Sequence, residues 1–121
     1  MNRIIIIYKS KIDLLKKYNN TVYLLKIDTP DSRLYKIGST RGSINKRIRE
    51  LQTGCPYEIK LVEKHDSLYG QTIERTLHNL YVYCKTFGEW FALDLTFESS
   101  FLETCIKLEE CNNILEKNKL D

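Results

Sequence analysis

Residues 21–39, TVYLLKIDTPDSRLYKIGS, decide the fold of this chain. Two runs within the stretch, residues 21–27 and 34–39, are rich in the β-branched and aromatic residues that favour β-strands. The residues between them, 28–33, include Pro, Asp and Ser, which favour a turn. The stretch therefore predicts an antiparallel β-hairpin.

A helix is predicted directly after the hairpin. Ser43 is a candidate N-cap, and Ile44, Ile48 and Leu51 recur at helical spacing in a helix that runs to about Gln52. The residues at 53–56, TGCP, end it because Gly suits a helix C-terminus and Pro cannot continue the helix.

The rest of the chain alternates between strand and helix patterns. Apolar residues alternate over 57–63, which predicts a third strand, and residues 73, 77, 80 and 84 recur at helical spacing within 68–85. An extended segment is expected at 88–93 and a C-terminal helix near 98–117. The order β-β-α-β-α predicts a small α+β fold, a three-stranded, mainly antiparallel sheet flanked by helices.

Length and composition limit the chain to one domain. With 121 residues, of which 42% are apolar, it has enough apolar side chains for one modest core. We place the domain at residues 21–94, an N-terminal appendage at 1–20 and the C-terminal helix at 95–121. Within the first appendage, residues 4–8 are either a strand or the entry to a short helix at 10–18.

Cysteine usage and the N-terminal residues predict a reduced, soluble, intracellular protein, cytoplasmic or nuclear. We also expect it to bind no membrane and no small-molecule cofactor. The four isoleucines at 4–7 are too few for a signal sequence or a membrane span. Zinc binding through cysteines and His65 or His78 is an alternative, but it lacks the usual ligand spacing. The cysteines contain no CxxC pair and are Cys55, Cys84, Cys105 and Cys111.

Charge is concentrated in two segments of opposite sign. The whole chain has 19 Lys and Arg against 16 Asp and Glu, too small an excess to indicate a nucleic-acid ligand by itself. Residues 33–52, however, hold six cations and one acid, whereas residues 89–121 hold eight acids and three lysines. The basic segment fits a phosphate-facing surface, or alternatively a solvated helix face. We assign DNA contacts to Arg41, Lys46 and Arg49, with His78 beside them.

Two charged residues are predicted at core margins. On the first helix Lys46 and Arg49 point away from the apolar stripe, while Arg47 lies beside it. At that position Arg47 either contacts a phosphate or covers the edge of the core and forms an ion pair with a carboxylate. On the second helix Glu74 flanks its stripe, with His78 one turn later. Glu74 is thus either a ligand for a hard cation or the partner of an ion pair with Arg47.

These residues form an ordered set of short motifs. The set comprises Val22-Tyr23-Leu24, Tyr35-Lys36-Ile37-Gly38, Lys46-Arg47, Glu74 to His78, and Glu89-Trp90-Phe91. In order and spacing the set resembles the GIY-YIG nuclease superfamily, and most closely its phage-type DNA-binding and meiotically up-regulated nuclease-like branch. The likeness covers about residues 21–93.

The resemblance implies a DNA endonuclease that depends on Mg²⁺ or Mn²⁺. Carried onto this chain, it makes Tyr23 the candidate base that activates water, Arg47 the residue that stabilises the phosphate and Glu74 the metal ligand. Gly38 would leave room at the end of its strand for the scissile phosphate. Phosphodiester cleavage needs such charge neutralisation and Lewis-acid help.

The chain departs from the family pattern at the second motif. Lys36 stands where the family carries Tyr, and Tyr35 is its neighbour, so both are candidates for the catalytic set although neighbours on a strand face opposite ways. A nearby cation, such as Lys36 or the water network of the metal, could lower the pKa of Tyr23, and Lys36 could alternatively bind phosphate. Phe91 is expected to seal the core, and Trp90 either to do the same or to stack at the rim of a groove.

Two other functions remain open at this stage. The first is a DNA-binding module of the same fold without turnover, which the presence of Lys36 favours. The second is a protein-interaction domain in which the acidic C-terminal helix covers the basic face of another copy. We expect a monomer, with a homodimer as the alternative.

Overall fold

The computed structural model describes residues 20–120, with side chains to residue 118. The predicted features within residues 1–19, a strand at 4–8 or a helix at 10–18, lie outside the described residues. Four strands form one sheet in the order β3-β1-β2-β4, and every neighbouring pair is antiparallel. The elements are β1 (Asn20–Asp28), β2 (Arg33–Thr40), α1 (Ile44–Gln52), β3 (Lys60–Ser67), α2 (Gly70–Leu80), a 3-10 turn (Val82–Cys84), β4 (Trp90–Phe91) and α3 (Thr96–Leu120).

The predicted hairpin is confirmed and forms the centre of the sheet. Strands β1 and β2 pair over their full length, with Tyr23 opposite Gly38 and Leu25 opposite Lys36. The Thr29 amide donates to the Ser32 carbonyl at 2.8 Å and closes the turn. Because β3 pairs with the other edge of β1, β1 is a central strand.

The sheet is covered on both faces, which explains why residues 22–25 of β1 are all buried. On one face the core consists of Val22, Leu24, Tyr35 and Ile37 with residues of α2 and α3. On the other face Tyr23 lies within a second core that packs against α1. The strand residues of this second core are Leu25, Ile27 and Leu34, and Ile44, Ile48 and Leu51 cover it from α1.

Helix α3 is part of the first core, although the sequence placed residues 95–121 outside the domain. Phe97, Phe101 and Cys105 are buried, and the two Phe rings meet edge to face at 5.9 Å. Burial raises the pKa of the Cys105 thiol to about 12. All four cysteines are free. Among residues 20–120 no helix has both the length and the apolarity needed to cross a bilayer.

Helix α1 begins as predicted. The Lys46 amide donates to the Ser43 side chain at 3.3 Å, as expected of an N-cap. The residues that follow α1, however, form a loop before the next strand begins. The Gln52 side chain donates to the Tyr57 carbonyl and accepts from the Ile59 amide, both at 2.8 Å, which holds residues 55–59 as a loop.

The third strand and the second helix have other bounds than predicted. The strand prediction at 57–63 was wrong by about three residues, because the loop held by Gln52 delays the strand to Lys60. The helix predicted at 68–85 ends at Leu80, which is 61% exposed. Ile73 and Leu77 of its apolar stripe are fully buried, as predicted.

The predicted three strands are four in the structure. The segment expected to be extended at 88–93 contains β4, which pairs with β2 through Tyr35 opposite Phe91 and Lys36 opposite Trp90. Gly88 precedes it with φ of 60°, a left-handed conformation that favours Gly. Phe91 is completely buried, as expected of a residue that seals the core.

Candidate active site

The phenol of Tyr23 lies against Gly38, its partner across the hairpin. A Cβ atom built on Gly38 would be 2.3 Å from the Tyr23 hydroxyl oxygen and 2.5 Å from Cζ, far inside contact distance. The absence of a side chain at Gly38 therefore makes room for the Tyr23 ring. The expectation that this room is left for the scissile phosphate was wrong, because the ring fills it.

The hydroxyl of Tyr23 is buried among charged groups. The residue is 1% exposed, and this burial raises the pKa of Tyr23. A hydrogen-bonding interaction with Arg47 acts in the opposite direction, and the negative charges of Glu74 and Glu89 add to the increase. The expectation that Lys36 lowers the pKa of Tyr23 was wrong, because desolvation dominates and Lys36 is bonded elsewhere.

Arg47 reaches Tyr23 from the first turn of α1. Its interaction with the phenol raises the pKa of the guanidinium. Its other partner is Glu50, one turn along the helix, with Nη1 and Oε2 3.4 Å apart and both side chains half exposed. Arg47 lies at the core margin as predicted, and the ion pair that it forms is with Glu50 and not with Glu74.

Glu74 is fixed in orientation by β2. Its Oε2 accepts a hydrogen bond from the Ser39 hydroxyl at 2.6 Å. His78, one turn later, is bound elsewhere, because its Nε2 is 2.7 Å from the Ile37 carbonyl and 3.9 Å from Oε1 of Glu74. With its N–H donated to that carbonyl, His78 fastens α2 to β2. Ser39 thus holds one oxygen of Glu74, and the other lies 3.9 Å from His78.

Lys36 is a buried cation with two partners on the β4 side. Its ammonium is bonded to the Glu89 carboxylate and lies 5.9 Å from the centre of the Trp90 ring. The hydrogen bond and charge of Lys36 lower the pKa of Glu89. The sequence placed Glu89 in a motif but gave it no role in the site, because that role depends on the pairing of β4 with β2.

The two carboxylates line one open cavity, which we call the Glu74 cleft. Its volume is about 490 Å³, and its lining consists of Ser39, Gln71, Glu74, Arg75, His78 and Glu89. Within the described residues no group of three or more His, Cys, Asp or Glu side chains is placed to hold a metal. Mg²⁺ does not need such a group, because it typically binds one or two carboxylates and keeps several waters. The oxygen donors of the cleft fit such an ion.

The end of β2 separates this cleft from a smaller one. Thr40, next to Ser39, lines a cavity of about 190 Å³ together with Lys46, Arg47 and Glu50. The Tyr23 ring packs against Gly38, immediately before these residues. The structure therefore brings Tyr23, Arg47 and Glu74 together around the end of one strand.

Tyr35 and Arg41 line neither of these two cavities, whereas Lys46 lines the smaller one with Arg47. Tyr35 faces the opposite side of the sheet and donates its hydroxyl to Glu98 at 2.9 Å, so the structure does not bring it to Tyr23. Lys46 and Arg49 are exposed on α1, as predicted. Arg41 is exposed and lines a third cavity, at the start of α2.

The fold and site together define a small α+β domain in which a basic helix and a carboxylate-bearing cleft meet at one strand end. This chain belongs to the T5orf172 domain family, whose model matches residues 20–117. The domain is phage-associated and occurs in nuclease-like proteins, which points to a nucleic-acid-related function and to interaction with DNA. No curated protein and no solved structure matches the chain.

Proposed function

We propose that this protein is a metal-dependent DNA endonuclease of the GIY-YIG type that cleaves phosphodiester bonds at the end of β2. The observation that carries the proposal is the convergence of the Tyr23 phenol, the Arg47 guanidinium and the Glu74 carboxylate. The pKa values of Tyr23 and Arg47 are both raised, and perturbed titratable groups beside a cleft are candidates for catalytic residues.

Arg47 is the proposed ligand of the scissile phosphate. Its ion pair with Glu50 is long and half exposed, and such pairs contribute little to stability, so a phosphate can replace Glu50. The guanidinium stays charged at any working pH and presents two parallel donors to phosphate oxygens.

Tyr23 is the proposed proton acceptor for the attacking water. Because burial raises the pKa of Tyr23, the neutral phenol dominates at pH 7 and only a small fraction of molecules carries the reactive phenolate. This fraction grows tenfold with each pH unit, so the proposal predicts a cleavage rate that increases with pH.

Glu74 is the proposed ligand of Mg²⁺ or Mn²⁺, with Glu89 across the Glu74 cleft as the second candidate donor. A bound ion would supply Lewis-acid stabilisation of the charge on the phosphate and the leaving oxygen. Ser39 holds Glu74 for this role, since partners of metal ligands commonly fix the ligand's orientation. Lys36 holds Glu89 in the same way.

The exposed cations of α1 would position the rest of the DNA. Lys46 and Arg49 lie on the same helix as Arg47, and Arg41 lies just before it. Contacts of this kind bind the backbone without reading sequence, and each is weakened by salt.

The test is plasmid nicking by purified protein with and without added divalent cation. Wild type should nick only with the cation, and Glu74→Ala should lose nicking while it retains DNA binding. The matched control is Glu103→Ala, which removes an exposed carboxylate on α3 that forms an ion pair with Lys107. If Glu74→Ala nicks at the wild-type rate, the proposed role of Glu74 is wrong.

The same experiment tests the inactive alternative. That alternative is a DNA-binding module of this fold, and the occupation of the second-motif position by a buried Lys36 bonded to Glu89 favours it. Salt-sensitive binding without nicking under Mg²⁺ or Mn²⁺ would establish it.

A further inference from the structure

An apolar cavity, which we call the Trp90 pocket, lies on the α1 side of the sheet. Its volume is about 290 Å³, and its walls include Leu34, Lys36, Leu51, Tyr57, Phe87 and Trp90. Phe87 is 70% exposed and stands at the rim, whereas Trp90 is partly buried against the second core. None of the catalytic steps proposed above uses this pocket.

The chemistry of the Trp90 pocket suits a flat, aromatic ligand. Three aromatic rings, those of Tyr57, Phe87 and Trp90, surround a space of the size that small-molecule sites have. Nucleobases stack on such rings regardless of their identity, because every base has a π-face. Lys36, a cation in the wall, adds a positive charge near the Trp90 ring.

Lys36 also connects the Trp90 pocket with the proposed catalytic site. Its side chain lines the pocket, and its ammonium is bonded to Glu89, which lines the Glu74 cleft. The helix α1 borders the same pocket through Leu51 and carries Arg47 at the proposed phosphate position. Arg47, the proposed phosphate ligand, thus lies one helical turn from a residue of the pocket wall.

We propose that the Trp90 pocket binds one unpaired nucleobase of the cleaved strand, and that the protein consequently selects DNA with unpaired nucleotides beside the cut. The position of the cut in this inference rests on the proposed function, whereas binding of the base does not require cleavage. A base inside a regular duplex must first leave its stack, at a cost that is lowest for a mismatched or single-stranded base. Substrates with an unpaired nucleotide thus bind more tightly than paired ones.

The pocket carries its own reporter, because Trp90 is the only tryptophan in the chain. Its fluorescence, excited at 295 nm, is recorded while full-length protein in EDTA is titrated with three DNA duplexes of identical length. One duplex contains a single unpaired thymine, one has an abasic site at that position, and one is fully paired. The unpaired thymine should quench Trp90 and bind about five-fold or more tightly than the other two.

Phe87→Ala removes one wall of the pocket without disturbing the core, since Phe87 is largely exposed. Its affinity for the duplex with unpaired thymine should decrease about 5- to 100-fold, toward the value for the abasic duplex. Tyr83→Ala is the matched control, because Tyr83 is an aromatic residue of the same segment, 99% exposed, and outside the pocket lining. It should bind all three duplexes as wild type does.

Three results would overturn the inference. The first is equal quenching of Trp90 by the abasic and thymine duplexes, and the second is a Phe87→Ala variant that still prefers unpaired thymine as strongly as wild type does. The third is quenching that depends on protein concentration without DNA, which would assign the pocket to contact between copies of the protein. The Glu74→Ala variant separates this inference from the proposed function. It should keep the full preference for unpaired thymine after nicking is lost. A wild-type protein that shows the preference but never nicks contradicts the endonuclease proposal alone.

Discussion

Replacement of Gly38 by Ala tests the geometry of the proposed site with a single methyl group. The new Cβ would lie 2.3 Å from the Tyr23 hydroxyl oxygen, whereas ordinary contacts of this kind begin at 3.4 Å. The hairpin register fixes both backbones, so the Tyr23 ring must yield by about 1 Å. Overpacking of this kind costs about 1–3 kcal/mol of unfolding free energy, and a 1 Å displacement of a catalytic group costs about 100-fold in rate.

The assay compares nicking rate, DNA affinity and thermal unfolding of Gly38→Ala with those of Gly42→Ala. Gly42 lies four residues away, and a Cβ there meets no atom within 4 Å, so its variant should behave as wild type. Gly38→Ala should remain folded and bind DNA but nick about 100-fold more slowly. If it nicks within about three-fold of wild type, the position of the Tyr23 phenol does not matter for cleavage and the reasoning is refuted.

Three further predictions follow from the contacts of the site and core. In a pH–rate profile, the cleavage rate of wild type should rise about tenfold per pH unit between pH 7 and 9, because the pKa of Tyr23 is raised. Tyr23→Phe should lose both this pH dependence and most of the activity. Ser39→Ala removes the hydrogen bond that orients Glu74. In a cation titration of nicking, the Mg²⁺ concentration for half-maximal rate should therefore increase about 10- to 100-fold, a larger change than the decrease in the maximal rate. In the folded protein a thiol reagent should modify exposed Cys111 within minutes at pH 8 and leave buried Cys105 unmodified until unfolding, as peptide mass spectrometry can verify.

The features that the sequence predicted well depend on neighbouring residues. The hairpin at 21–39 and the Ser43 cap follow from local strand, turn and capping preferences, and both are present. The alternation of side chains along β2 correctly predicted that Tyr35 and Lys36 face opposite ways, although both were candidates for the catalytic set. Lys36 faces the Trp90 pocket, while Tyr35 lies in the opposite core.

The features that the sequence missed depend on residues far apart in the chain. The pairing of β4 with β2 joins Lys36 to Glu89 across 53 positions, and no periodicity within either segment signals it. The helical spacing of Leu80 made the predicted α2 too long. Helical periodicity shows which residues lie on the same face of a helix, but it does not show where the packing of that face ends.

The electrostatics of Tyr23 were beyond sequence reasoning for a related reason. The sequence named Arg47 and Glu74 as its neighbours in the site, but the direction of its pKa change depends on burial, which the packing on both faces of β1 determines. A strand at the sheet edge would leave the same phenol in water, where Arg47 would be the dominant influence.

The most direct test of the account is a crystal structure of the protein bound to Mn²⁺ and a DNA strand with a cleavage-resistant phosphorothioate linkage. We expect an anomalous scattering peak within coordination distance of a Glu74 oxygen, with the Arg47 guanidinium bonded to the same phosphate that the ion contacts. A Mn²⁺ peak remote from Glu74, or DNA bound with its backbone away from the end of β2, would contradict the account.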